Sequence, residues 1–457
     1  MLTKILLRSV WFFLSFILLS NSGFAQIGFS SPLVINDSIN YPGELHLVDF
    51  NDDGQIDVFV PSFNGHYLVW FQNYGNGNFS TPIMIYDSVP GAGSIHTADI
   101  NGDGYLDVTA SGVPSNLVAW YERFEGTWIQ HVVSDTDVTS NFEYPADLDG
   151  DGDVDILASP TNDDILHWYS NDGNGNFDTA HVIKDPYEAV SNVHAADLDG
   201  DNDMDVVATS FKLDQLSWFE NDGTGNFGSE NILSQNLDWI YDLEVQDVDN
   251  DGDYDILTAS THDDKIAWFE NDGYGNFSGE KVITINAEGA NSVYAADLNG
   301  DNLPDILSTS NQDNKLAWYK NLGNGQFGNQ QVIDTNFYAP GAVSSADMDG
   351  DGDNDIVLTE FFGDRVIWLQ NWGTTGKPKE IRKEVSIYPN PAYENLVIHD
   401  EENRYQRYEL YDMTNRLVMS DIINRKVILN IKGMNKGIYI LKLFSEKDQA
   451  QQKIIIN

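Results

Sequence analysis

Seven stretches of this chain carry oxygen-bearing side chains at a spacing that wraps a hard cation. Beginning at Asp49, Asp99, Asp147, Asp197, Asp247, Asp297 and Asp347, each reads D-x-[DN]-x-D-[GN]-x-x-D, and successive copies start about 50 residues apart. Calcium takes about six to eight oxygens, and a nine-residue loop with side-chain oxygens at positions 1, 3, 5 and 9 and a backbone carbonyl at 7 can encircle one ion. The side-chain ligands expected in the first three copies are Asp49, Asn51, Asp53 and Asp57; Asp99, Asn101, Asp103 and Asp107; and Asp147, Asp149, Asp151 and Asp155. The next four copies supply Asp197, Asp199, Asp201 and Asp205; Asp247, Asp249, Asp251 and Asp255; Asp297, Asn299, Asp301 and Asp305; and Asp347, Asp349, Asp351 and Asp355. The carbonyls at position 7 belong to Gln55, Tyr105, Asp153, Asp203, Asp253, Leu303 and Asp353.

Position 6 is glycine or asparagine throughout, the residue types that best tolerate a positive φ. Aspartate and glycine also make ordinary hairpin turns, so one such loop would decide little. Seven in register call for calcium, up to seven ions. Asparagine at position 3 removes a charge in copies one, two and six, and copy six adds Leu303-Pro304, so it is expected to bind weakest. Copies three, four, five and seven are expected to bind best.

The elements that position these loops repeat with them. Residues 191 to 234 hold four β-rich stretches separated by turn residues, which reads as an antiparallel meander. A tryptophan follows every opening aspartate by 21 residues, at Trp70, Trp120, Trp168, Trp218, Trp268, Trp318 and Trp368, a stripe expected to pack between units. Four-stranded repeats of this length point to a seven-bladed β-propeller. The segment Ile27 to Ile35 resembles the outer-strand segment Asn78 to Ile85, and the seventh unit stops at Gly373 without one. An N-terminal strand is therefore expected to complete the last blade. The strands entering the acidic loops are then innermost, and all seven loops share one face.

Charge is lopsided, with 72 Asp+Glu against 24 Lys+Arg. Only eight basic residues lie between Ala25 and Lys377, whereas 14 stand from Lys377 onward against 11 acids. Such acidity repels phosphate backbones and anionic membranes, which argues against nucleic acid as a partner and for cations. Lys4 and Arg8, the apolar run Val10 to Leu19 and Ala25 read as a signal peptide over residues 1–25. No transmembrane segment is expected in the mature chain. Cysteine is absent, so no disulfide staples the fold.

The D-x-D-G-D-x-D loops and the phrase W-F-E-N-D-G-x-G-N-F (Trp218 to Phe227, Trp268 to Phe277) resemble the FG-GAP/VCBS repeats of integrin α-chain propellers and their bacterial relatives. The resemblance spans about residues 27–373, within a propeller domain expected over 26–373. It implies calcium between the first two strands of each blade and a role in adhesion or ligand binding. A linker at 374–383 leads to residues 384–457, whose strand-rich pattern reads as a small C-terminal β-sandwich of immunoglobulin-like type, so the whole chain is expected to be all-β. Its Tyr388-Pro389-Asn390-Pro391 opening, its Gly437-Ile438-Tyr439-Ile440-Leu441 strand and its final Lys453-led strand resemble the type A C-terminal sorting domain of type IX secretion. That resemblance implies the secretion translocon as a partner and an extracellular or cell-surface location.

Function is expected to be non-enzymatic: binding of a glycan or protein ligand on the face opposite the loops. Candidate contacts there are Phe63, Asn64, His66, Tyr187, Phe211, Trp239, Tyr241, His262, Phe337, Tyr338, Phe361 and Phe362. The alternative is an extracellular polysaccharide lyase or glycosidase. His46, His96, Tyr144, His194, Glu244, Tyr294 and Ser344 each stand three residues before a loop, where they would line the channel and could move protons. A polar channel lining explains the same residues, and no nucleophile motif, zinc-ligand spacing or phosphate loop accompanies them.

Overall fold

In the computed structural model, residues 27–373 and 385–456 are described, apart from positions 76, 114, 125, 163, 390 and 394 and the stretches 137–139, 401–404, 413–415 and 446–448. The expected signal peptide and linker lie outside the described residues. Among those residues, 27–373 fold into seven four-stranded sheets, and neighbouring strands run antiparallel. The fourth repeat is representative, with strands Val190–Ala196, Asp205–Ser210, Gln215–Phe219 and Asn231–Ser234 hydrogen-bonded in chain order.

Burial explains why the units form sheets. The second strand of every unit is buried along its whole length, for example Asp205-Val-Val-Ala-Thr-Ser and Asp255-Ile-Leu-Thr-Ala-Ser, as small and β-branched residues between two packed layers should be. Apolar clusters bridge successive sheets: Leu257, Ile266 and Trp268 pack with Val293, Ile306 and Tyr319 of the next unit. All seven repeated tryptophans are buried. The Trp120 ring lies so close to Gly175 of the following unit that a Cβ there would sit 2.3 Å away. Only glycine fits that turn, which also takes φ 76°.

Inner strands stand beside one another in chain order, and the first, His46–Val48, also meets the last, Pro340–Ala346. The N-terminal strand Leu33–Asn36 pairs with Arg365–Leu369 as the fourth strand of the last sheet, Leu33 opposite Trp368. Phe29 bridges Asn371, and Ile27 is buried in the last sheet's core. The ring is thus fastened by its own N-terminal segment.

Residues 385–456 form a three-stranded and a four-stranded sheet. Leu396 and Ile398 of the first and Leu410, Leu441 and Ile454 of the second share one buried core, which makes this segment a small sandwich. Among the described residues no helix is long and apolar enough to cross a membrane.

Candidate metal centres and the central channel

Each acidic loop connects an inner strand to the second strand of its sheet, so all seven occupy one rim. The residue at position 6 is left-handed in every copy, with φ from 65° at Asn302 to 103° at Gly252. Its N–H donates to the first aspartate at 2.7–3.1 Å in all seven. The N–H at position 7 donates to the fifth-position aspartate, as from Gln55, Tyr105, Asp153 and Leu303. These bonds gather the side chains inward.

Four loops bring three carboxylates together, with ligand atoms within 4.8 Å of one another: Asp147, Asp149 and Asp155; Asp197, Asp199 and Asp205; Asp247, Asp249 and Asp251; Asp347, Asp349 and Asp351. All four copies have aspartate at position 3. Burial and the crowding of Asp251 and Glu270 push Asp249 up to about 6, and burial with Asp351 and Asp347 pushes Asp349 up to about 7. A divalent cation relieves that repulsion. The donor set is oxygen alone, which fits a hard cation of the calcium type. The ninth-position aspartates Asp57, Asp107, Asp155, Asp205, Asp255, Asp305 and Asp355 are buried at the start of the second strand.

Two further positions escaped the sequence reading. An asparagine lies 24 residues after the opening aspartate in six units: Asn73, Asn171, Asn221, Asn271, Asn321 and Asn371. Each is buried, donates to the carbonyl at position 8 of its own loop, and donates at 2.7–2.9 Å to the carbonyl at position 2 of the preceding loop. Each backbone N–H also donates to the ninth-position aspartate. Asn73 reaches Met348, closing the circle between first and last units. Unit two has Arg123 instead, its guanidinium 5.7 Å from the Trp70 ring. The regularity was available in the sequence, whereas its bonding role depends on the neighbouring unit.

The residue one position earlier overhangs the loop. Gln72 donates to Asp53, Ser170 to Asp149 and Gln370 to Asp349. Glu270 adds a carboxylate beside Asp249, and Glu220 one near Asp199. In copy six Lys320 sets its ammonium 2.9 Å from Asp301, and Asn299 donates to Asp305 at 2.7 Å.

Along the axis, His46, His96, Tyr144 and His194 form an arc over four consecutive inner strands, with ring centroids 5.6, 5.2 and 4.1 Å apart. Burial, and then the neighbouring His96, push His46 down to about 3, so it is neutral; burial does the same to His194. Burial also works against the His96 imidazolium, but Glu44 at 3.7 Å and Glu143 at 3.4 Å outweigh it and raise His96 to about 9. Glu143 occupies a position that is Leu45, Ile95, Val193, Leu243, Val293 or Val343 in the other units. It is fully buried and accepts hydrogen bonds from Ser94 and Thr109, so it anchors His96 rather than meeting solvent.

Away from the loop rim the channel widens into a cavity of about 360 Å³. Its walls include the aromatic rings of Tyr41, Phe63, Phe211, Trp239, Tyr241 and Phe361 and the carboxylates of Glu44, Asp242 and Glu244. Five expected contact residues, Phe63, Phe211, Trp239, Tyr241 and Phe361, thus converge, although Phe361 is largely buried and stacks on Tyr41 with centroids 4.9 Å apart. Tyr187 and Phe337 correct the expectation. Both are buried between sheets, Tyr187 with its hydroxyl donating to the Ala208 carbonyl and Phe337 in the core of the sixth and seventh units. Asn64, His66, His262, Tyr338 and Phe362 are exposed on the same rim but do not line the cavity.

Comparison with known proteins places these features. The FG-GAP-like repeat family matches residues 49–110, 147–208, 247–308 and 297–358, together more than half of the chain. Such repeats commonly bind calcium. The secretion system C-terminal sorting domain matches residues 386–457. No curated protein sequence matches the chain. Among solved structures, BBS1N in complex with ARL6DN is 8% identical with a TM-score of 0.54, over 75% of this chain and 96% of that one. An Agrocybe aegerita lectin, described as recognising non-reducing terminal N-acetylglucosamine, is 18% identical with a TM-score of 0.50, over 66% of this chain and 82% of its own. A catalytically inactive virginiamycin B lyase from Staphylococcus aureus is 14% identical with a TM-score of 0.50, over 76% and 99%. At these identities the likeness is one of fold. The chain therefore belongs to the FG-GAP-like repeat family, as a β-propeller whose C-terminal sorting domain marks it for export by type IX secretion to the cell surface or extracellular space.

Proposed function

We propose that this secreted propeller is a non-enzymatic recognition module, ordered by calcium on one rim and binding a glycan or protein ligand on the other. The observation that carries the reading is the cavity at the channel mouth, where aromatic walls and a few polar groups converge in a concave site. Calcium in the acidic loops acts at a distance from it by holding the inner strands in register. The best sites are copies three, four, five and seven, and copy six is weakest because Lys320 already supplies a cation to Asp301.

A glycan and peptide array, probed with and without calcium and followed by product analysis, tests this. Terminal N-acetylglucosamine belongs on the array because a lectin of the same fold is described as recognising it. Saturable binding that is lost on chelation, without product, is the expected result. Release of a cleaved sugar would replace this reading with an enzyme, and silence on every spot would leave it without a ligand.

A further inference from the structure

We propose that the channel-mouth cavity selects an organic cation, a primary ammonium or guanidinium group on a short stem, held by Glu244 between the aromatic walls of Tyr41 and Trp239. This rests on the cavity being the ligand seat and adds the chemistry of what it takes.

Charge comes first. Among the described residues three carboxylates line the cavity and no lysine, arginine or histidine does, the nearest cation being the His96 imidazolium behind Glu44. Two of the three are engaged: Glu44 accepts the Ile95 N–H at 3.2 Å and lies 3.7 Å from His96, and Asp242 accepts the N–H groups of Val293 and Leu243 at 2.9 and 3.0 Å. Among the described residues no hydrogen bond or ion pair reaches the carboxylate of Glu244. A carboxylate set in a protein cavity without a partner is costly unless a proton or a cation meets it. Aromatic rings lining the same cavity, Tyr41 and Trp239 among them, are the second half of a cation site, since a ring quadrupole attracts an ammonium or guanidinium most strongly where water is thin.

The repeat itself marks the same residues. Eight residues before the opening aspartate the chain takes a positive φ in each unit where that position is described: Tyr41 at 53°, Gly91 at 66°, Ala189 at 52°, Trp239 at 62°, Gly289 at 68° and Ala339 at 52°. Four of the six are glycine or alanine, which suit a crowded left-handed turn. Bulky aromatic residues there are uncommon and strained, yet the two that break the pattern both line the cavity. Glu244 breaks it too, as the one acid among three histidines, two tyrosines and a serine at its position. The volume suits a ligand of small-molecule size.

Titration of the calcium-loaded full chain with benzylamine and benzamidine, against benzyl alcohol as the neutral counterpart, tests the selection. Glucosamine against glucose and N-acetylarginine amide against N-acetylglutamine amide then distinguish an amino sugar from a basic side chain as the source. Expected are one saturable site, at least tenfold weaker binding of the neutral partner, and at least tenfold loss in Glu244→Gln and in Trp239→Gly. Thermal melts of both variants establish that they fold. A folded Glu244→Gln that binds the cations as the wild type does would overturn the proposal. So would a neutral glycan from the array that binds in a Trp239-dependent way without preference for charge, although the cavity would then remain the ligand seat. If neither the cations nor any array ligand binds, the seat itself is refuted.

Discussion

The two rims of the propeller are built from the same strands and follow opposite rules. On the loop rim each unit copies the last: the same left-handed residue, the same inward N–H donors and, in six units, the same asparagine tying one loop to its predecessor. At the channel mouth the copies diverge, with Tyr41 and Trp239 in a turn that takes glycine or alanine at its four other described copies, and with Glu44, Asp242 and Glu244 where other units place Ser94, Asn192, His194, Tyr294 or Ser344. Repetition suits a role that every unit must perform equally, which is holding the ring together. Divergence suits a site that needs one geometry in one place.

Removing metal breaks the comparison hardest. If the loop rim is held by calcium, each site with a dissociation constant of about 0.1–1 mM adds about 1.4 kcal/mol at tenfold excess, so the four carboxylate-rich loops alone contribute about 6 kcal/mol. Calorimetric melts in excess chelator are expected to fall by about 8 °C or more relative to millimolar calcium. Coincident melts would mean that the loops are hydrogen-bonded turns and no more. Because the channel mouth is carried on the inner strands, ligand binding should be lost in step with the melt.

The loop rim was legible in the sequence because its physics is local. A nine-residue spacing of carboxylates with glycine or asparagine at the sixth place specifies its own turn, and the structure holds φ positive at all seven. The closing strand was legible for the same reason, since Phe29 to Ile35 repeats an outer-strand phrase. The channel mouth was only half legible. Tyr187 and Phe337 look like exposed aromatics in a crossing, but the next sheet covers both, and coverage depends on residues far along the chain. Glu143 hides within an otherwise ordinary inner strand, and its meaning needs His96 and Thr109 from the neighbouring sheet. The asparagine ties are visible as a period and acquire a role only across the junction.

Those ties offer a sharper cut within the loop rim. Asn221 is buried and donates to the Leu148 carbonyl at 2.8 Å and the Met204 carbonyl at 2.9 Å. Alanine there leaves two carbonyls unmet and is expected to cost about 3 kcal/mol, since an unsatisfied buried group costs about 1–3 kcal/mol. The junction between units one and two is held instead by Arg123 over Trp70 and by Trp128 stacked on Phe50 at 5.9 Å. Arg123→Ala should therefore cost about 1 kcal/mol or less. Denaturant titrations of both variants in calcium measure the difference, and equal losses would show that the asparagines are not what joins the units.

The smallest effect belongs to the channel. Burial, then repulsion from Asp242 and Glu44, push Glu244 up to about 8 from 4.5, more than His96 pulls it down. The phenols of Tyr144 and Tyr294 also face it, and burial raises both, so they stay neutral. A carboxyl whose folded pKa is raised contributes stability that is full below its unfolded pKa and is lost as pH rises through the folded value. Between about pH 5 and pH 8.5 the ligand-free protein therefore loses that contribution, while Glu244→Gln does not. The two should melt together at pH 5 and separate at pH 8.5 with the variant higher by about 1 kcal/mol, a figure reduced for the solvent that reaches the channel. Measuring the pair in one buffer cancels whatever the acidic loops do, because they are identical in both. A separation that failed to grow with pH would mean that Glu244 carries no unpaired charge, and the channel mouth would then be as balanced as the rim it is contrasted with.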